Sequence, residues 1–206
     1  MSNCKNFQRS LSWCPGTPEL PGIKRRIFYL SKSEIVKWPT LPTDEKGRPT
    51  SAVYQGNFLL AADATWKHID VLPDKCQVTS EAQGEFPSQL QLNKLTAVHP
   101  AVGEEASAAA AYINNTDNVF LVEDMKGKFR VIGCDRYTTK ATVAQDLGQG
   151  ATGTTSTTIN AEASDVVPAP FYEGEIVTEE GTINEAQPEP EPQPEPQNEG
   201  NDNQEA

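Results

Sequence analysis

The chain has only two histidines and four cysteines in 206 residues. Cys4, Cys14, Cys76 and Cys134 form no CxxC pair and none stands beside a histidine at ligand spacing, which argues against a zinc site. No apolar run approaches the ~20 residues of a membrane-spanning helix, and the opening MSNCKNFQRSLSW lacks the apolar centre of a secretory leader. The expectation is a soluble chain made in a cytoplasm, with its thiols reduced and no membrane partner. On that expectation the glycosylation-type triplet at Asn114 carries no meaning. Basic residues are scarce as well, 17 against 29 acids, for a formal charge of −12. Eleven of those acids and no base lie between Phe171 and Ala206, which leaves 18 acids and 17 bases in the first 170 residues. The acidity belongs to a tail, and the near-neutral body is not one built to grip phosphates through a basic patch. GQGATG, at Gly148 to Gly153, is followed by no Lys and opens no helix, so it is no phosphate loop.

What is present reads as mainly β. Residues 1–23, broken by Pro15, Pro18 and Pro21, are expected to form an extended arm. A β-rich domain is expected over 24–175, and a disordered Pro/Glu-rich tail over 176–206. Within the domain, KRRIFYLS opens a strand, and Trp38 to Pro49 carries so many breakers that an exposed loop is expected. Strands follow from Ala52 onward. Val119 to Val122 is apolar on both faces, as in a buried strand, and turns at Met125 to Gly127. The one helix expected is Gly103 to Asn115, where Ala106, Ala109, Ala110 and Ile113 form a stripe of small residues suited to lying on a sheet. Glu104 and Glu105 suit its N-terminal end.

The most informative stretch is CQVTSEAQGEFPSQLQLNKL, Cys76 to Leu95. Its alternation puts Cys76, Val78, Ser80 and Ala82 on one face and Gln77, Thr79, Glu81 and Gln83 on the other. The second face is uncharged-polar with a single acid, better suited to water, a subunit neighbour or a passing polymer than to a core. Glu85 to Ser88 reads as the turn of a long hairpin. On the return strand Leu90 and Leu92 share a face while Leu95 falls out of phase, which suggests a bulge near Asn93 or Lys94.

Catalytic chemistry finds little purchase. His68, Asp70 and Asp63 lie close in sequence, but two or three potential ligands on one strand make no site. His99 reads as a strand-end residue that hydrogen-bonds locally. Cys76 follows Lys75, but an alternating strand points the two to opposite faces, and Cys76 and Cys134 read as small core residues. Lys24 to Arg26 is the densest basic run and suits a solvated edge that discourages wrong pairing. No cofactor and no enzymatic activity are expected.

WKHIDVLPDKCQVTSEAQGEFPSQLQLNKLTAVHP, the Ala-rich helix, NVFLVEDMKGKFRVIG and the closing PAPFYEGE together resemble the major tail tube proteins of tailed bacteriophages, particularly those of phages of Bacteroidetes-like hosts. The resemblance spans about Gly22 to Glu175; SEAQGE leading into NKL, and VFLVEDMKGKFRV, are its most characteristic pieces. It implies a β-sandwich or barrel-like domain with one flanking helix and a long hairpin, assembled as stacked hexameric rings in a virion tail. DNA would pass through the channel without specific binding, and other tail proteins would be partners. Gln77, Thr79, Glu81, Gln83, Gln89, Gln91 and Asn93 are then the candidate lumen or inter-subunit positions, with the inward face of the return arm left open. The arm and the Trp38 to Pro49 loop would make inter-ring contacts, and the acidic tail would lie outside the tube. Rival readings are another β-rich virion part (a tail terminator, a head decoration, the inner tube of a contractile injection machine) and a monomeric β-sandwich binding module.

Overall fold

The computed structural model describes residues 8–184. Residues 8–22 are extended and exposed, an arm tied to the body where the Arg9 guanidinium donates to the Thr50 carbonyl. The chain then forms β1 (Ile23–Ser31), β2 (Ile35–Lys37), β3 (Val53–Tyr54), β4 (Leu59–Leu60) and β5 (Lys67–Asp70). The long hairpin is β6 (Gln77–Gln83) and β7 (Leu90–His99), followed by α1 (Glu104–Ile113). After it come β8 (Asn118–Asp124), β9 (Phe129–Ile132), β10 (Lys140–Asp146), β11 (Ser156–Asp165) and β12 (Phe171–Tyr172), and a last hairpin of β13 (Ile176–Thr178) and β14 (Gly181–Ile183).

The strands make a six-stranded sheet in the order β3-β12-β9-β8-β1-β5 and a four-stranded sheet in the order β10-β11-β7-β6, with β13–β14 and β2–β4 as separate pairs. Strands that are apolar at consecutive positions need cover on both faces, and β1 and β8 receive it. Ile27, Phe120, Val122 and Ile132 face the four-stranded sheet and meet Leu95, Ala97, Ile159 and Ala161. Phe28, Leu30, Val119, Leu121 and Val131 look the other way, into Phe58, Trp66, Tyr172 and Ile176. Phe58 is the hub of that second cluster, with ring centres 5.2 Å from Trp38, 5.3 Å from Trp66 and 5.0 Å from Tyr172. The result is three layers: an outer sheet, a central sheet, and a cover of short strands and loops. Neither sheet closes into a barrel within one chain.

The helix stripe behaves as its spacing dictates. Ala110 and Ile113 are buried and Ala106 and Ala109 half-buried, while Tyr112, beside the stripe, is exposed. Small side chains let α1 sit close against β10.

Three expectations are corrected. The Trp38 to Pro49 segment lacks strands but is no free loop: Pro39 is buried, and Trp38 and Leu41 pack on the second cluster. The return strand has no bulge, since β6 and β7 pair without a break from Gln77↔Thr96 to Gln83↔Leu90; irregular registers lie instead in β1, between Ile23 and Ile27, and in β2, between Ile35 and Lys37. Leu95 is out of phase because it points into the core, whereas Leu90 and Leu92 lie on the outer face opposite Gln83 and Glu81. Finally, the folded body does not end at Glu175. Ile176 is fully buried, and the Val177 carbonyl of β13 accepts from the Trp66 N–H. The rest of the expected tail, 185–206, lies outside the described residues, as do residues 1–7 of the arm.

Candidate functional site

In an antiparallel pair, residues directly opposite share a face. Val78 with Leu95 and Ser80 with Asn93 therefore look into the sandwich, while Gln77 with Thr96, Thr79 with Lys94, Glu81 with Leu92 and Gln83 with Leu90 look out. β11 continues that outer face with Thr158, Asn160, Glu162 and Ser164, and β10 with Lys140, Thr142, Ala144 and Asp146. The outer face of the four-stranded sheet is thus dominated by Gln, Thr, Asn and Ser, cross-linked by Thr96 Oγ1 donating to Asn160 Oδ1 at 3.0 Å and by Gln83 Nε2 donating to Ser164 Oγ.

Two lysines interrupt it, which the alternation of β6 alone does not reveal. Lys94 Nζ lies 2.5 Å from Glu81 Oε1 and 3.9 Å from Glu162 Oε1, so one cation is held between two acids across three strands. The hydrogen bond to Glu81, with the charges of Glu81 and Glu162, raises the Lys94 pKa above its ordinary value. With Lys140 and Asp146 included, these four strands carry two cations and three anions on this face.

The expected candidates separate. Gln77, Thr79, Glu81 and Gln83 are on the outer face. Gln91 and Asn93 have the opposite parity and point inward: Asn93 is fully buried, accepts from Ser80 Oγ (2.6 Å) and Ala169 N (2.8 Å), and donates to the Val167 carbonyl (3.3 Å). Its work is to pin the segment after β11. Gln89 is in the turn, its amide donating to the Gly84 carbonyl at 3.4 Å.

The edges of this sheet matter as much as its face. Val98 N donates to Cys76 Sγ (3.3 Å) and its carbonyl accepts from Leu72 N (2.8 Å), so even-numbered residues of β7 bond toward β6 and odd-numbered ones toward β11. It follows that Gln77, Thr79, Glu81 and Gln83 spend their backbone bonds on β7, while Val78, Ser80 and Ala82 direct theirs off the open side of β6. On the far edge, β10 has no strand beyond it among the described residues either. There the Asn114 side chain covers Val143 alone, accepting from its N–H at 2.7 Å and donating to its carbonyl at 3.5 Å.

His68, Asp70 and His99 line one cavity beside α1, but they form no metal-holding group. Among the described residues no cluster of three or more His, Cys, Asp or Glu could hold a metal. His99 closes β7 as expected, but its Nδ1 donates at 2.7 Å to the Asp70 carbonyl, far away in sequence. His68 Nε2 is 3.9 Å from Glu180. Cys76 donates to the Leu72 carbonyl and Cys134 to the Ser164 carbonyl, and burial pushes both thiols up, away from the reactive thiolate. In the basic run, Lys24 pairs with Glu123, and Arg26 with both Asp70 and Glu180. Among the described residues no helix is long and apolar enough to cross a membrane. No family model, curated protein or solved structure matches the chain.

Proposed function

We propose that this chain is the major tube subunit of a bacteriophage tail, a structural virion protein that assembles as stacked hexameric rings around a channel for DNA. One observation carries the reading: a four-stranded sheet whose polar outer face, with two cations and three anions, is left uncovered by the described residues and whose two edge strands have no strand partner among them. Exposed edges are an aggregation hazard that proteins ordinarily cover, and closing a barrel removes them. In a ring, β6 of one copy runs beside β10 of the next, where Ala141 and Gln145 flank the position that Asn114 occupies. The outer face then lines the bore. A wall rich in Gln, Thr, Asn and Ser, with its two lysines outnumbered by three acids, gives phosphates little to hold. The exposed arm, with Leu11 97 % and Trp13 63 % accessible, is suited to reach a neighbouring ring.

Electron microscopy of the purified full-length chain tests this. Long hollow rods of uniform width are expected. Particles that stay monomeric at high concentration would make it a lone sandwich module instead, and closed single rings that never stack would make it a terminator or decoration protein.

A further inference from the structure

The two open edges of the four-stranded sheet complement each other in backbone, in apolar surface and in charge. Val78, Ser80 and Ala82 direct their N–H and C=O groups off β6, and the pairing of β10 with β11 leaves Ala141, Val143 and Gln145 to direct theirs off β10, as the Asn114 bonds to Val143 show. The order β10-β11-β7-β6 is antiparallel throughout and has an even number of strands. Copies related by rotation about one axis therefore bring β6 antiparallel to the next copy's β10.

The core between the two sheets runs out at both edges. Cys76 and Val78 on β6, and Ala141 and Val143 on β10, pack against it and stay half-buried. Beneath β6 a cleft of about 680 Å³ opens along Cys76, Val78 and Ser80. Its charged lining is spent internally, Lys126 on Glu19 and Arg130 on Asp124.

On the outer face a row of charges crosses the sheet with alternating sign. Lys140 stands directly across from Glu162, Glu162 across from Lys94, and Lys94 is bound to Glu81 on β6. The row begins with a cation at one edge and ends with an acid at the other. Setting Glu81 opposite the next copy's Lys140 continues the alternation around a ring, and the same register sets Val78 opposite Val143, Ser80 opposite Ala141 and Lys75 opposite Asp146. A slip of two residues, the smallest that keeps the faces, loses both charge pairs. It matches Gln77 and Gln83 to Asp146 and Lys140 in one direction, and Pro73 and Thr79 in the other. Of the remaining charges, Asp74 falls opposite Leu147, and Glu85 reaches past the start of β10. Glu104 and Glu105 lie at the end of α1 that Ser107 ties to Gln145, where Lys75 arrives.

We infer that β6 of one copy pairs with β10 of the next in this register, Val78 against Val143 and Glu81 against Lys140. The inference rests on the ring proposed above and fixes how neighbouring copies join. In the single chain the Asn114 carboxamide holds the place of Val78, its Oδ1 standing for the Val78 carbonyl and its Nδ2 for the Val78 amide.

Rods of the full-length protein test the register in two arms. Thr79 and Thr142 are exposed and directly opposite in it, a non-hydrogen-bonded pair with Cα atoms ~4.5 Å apart, within reach of a disulfide. Within one molecule they are three strand spacings apart, roughly 14 Å, so a bond between them joins two copies. Rods of Thr79→Cys/Thr142→Cys, oxidised after assembly, are expected to carry the 79–142 disulfide, identified by mass spectrometry of the peptides. Rods of Thr79→Cys/Ala144→Cys are expected to give roughly tenfold less of a 79–144 link, since diagonal positions lie too far apart. In the wild type, amide exchange at Val78 and Ser80 is expected to slow on going from dilute protein to rods. Rods that carry the 79–144 link or neither link, or in which Val78 and Ser80 exchange as in dilute protein, would overturn this register and leave the tube standing. A wild-type chain that never forms rods would sink both.

Discussion

The Asn114 side chain holds the backbone of Val143 from the outside of β10, its Oδ1 2.7 Å from the amide nitrogen and its Nδ2 3.5 Å from the carbonyl. A single carboxamide thereby does at one position what a neighbouring strand would do along the whole edge. Asn114→Ala leaves that amide and carbonyl without a protein partner and is expected to cost about 1–2 kcal/mol. Urea unfolding gives the loss, and amide exchange at Val143 is expected to speed up relative to Ile159 on the inner strand. Equal exchange rates in variant and wild type would mean that the bond contributes nothing.

Asp165 ends β11 at 5 % exposure, with Oδ1 accepting from Val166 N at 2.6 Å and Oδ2 without a partner. Burial pushes its pKa up to about 6, whereas the unfolded chain holds it near ~3.9. A raised carboxyl pKa means that the folded state binds the proton more tightly. Its contribution is therefore full below pH ~4 and is lost as pH rises through about 6, a loss of up to about 3 kcal/mol by pH 7. Asp165→Asn abolishes this loss. The stability of the variant relative to wild type is expected to climb between pH 4 and 7 in urea melts, and a pH-independent difference would refute the assignment.

How far the sequence reveals this molecule depends on how local each signal is. Four consecutive apolar residues, Val119 to Val122, require a strand covered on both faces, and β8 is one. The Ala106, Ala109, Ala110, Ile113 stripe marks the packed side of α1 for the same reason: its period is that of the helix itself. The hairpin is legible, but the parity of its return arm is not. Register depends on the turn, and a one-residue slip exchanges the faces; taking Leu90 and Leu92 for core leads to a spurious bulge and places Asn93 with the polar residues. Contacts between distant segments leave no local mark at all, as with Asn114 and Val143 or Lys94 between Glu81 and Glu162. In the last hairpin, acidic composition from Glu173 to Glu180 masks a short apolar pattern of Ile176, Val177 and Ile183 around Gly181.

Gly133, just after β9, has φ +123°, where a side chain is strained. An added Cβ would stand 2.9 Å from Thr139 Oγ1 and 3.3 Å from the Cα of Val119, in the buried centre of the fold. Gly133→Ala is expected to cost about 2–4 kcal/mol, visible as a lower unfolding midpoint with no change in the denaturant slope. A midpoint within error of wild type would show that the backbone relaxes there at little cost.

The corrected boundary of the domain predicts a difference between two shortened chains. One ending at Asn184 keeps Ile176 over Trp66 and the bond from Trp66 N to the Val177 carbonyl at 2.9 Å. One ending at Glu175 loses both and opens the second cluster to water. The shorter chain is expected to be less stable by about 3–5 kcal/mol, with tryptophan fluorescence shifted to the red. Equal melting of the two would return the boundary to Glu175.

On the proposed lining, Glu81 is the residue whose reversal says most. Glu81→Lys removes the partner that Lys94 holds at 2.5 Å and turns the outer face from two cations and three anions to three cations and two anions. The substitution sits on an exposed strand position, so the fold is expected to survive, and the two lysines repel each other only weakly in water. Repeated around each ring and along every ring, however, the added charge makes a cationic bore. Tubes of the variant are expected to retain short double-stranded DNA at 50 mM salt and to lose it steeply by 200 mM, because each neutralised phosphate releases counterions. Wild-type tubes are expected to retain none at either salt. Co-sedimentation with labelled DNA reads both. Retention by neither protein would place this face away from the channel, since a cationic wall along the path of DNA has no way to avoid binding it.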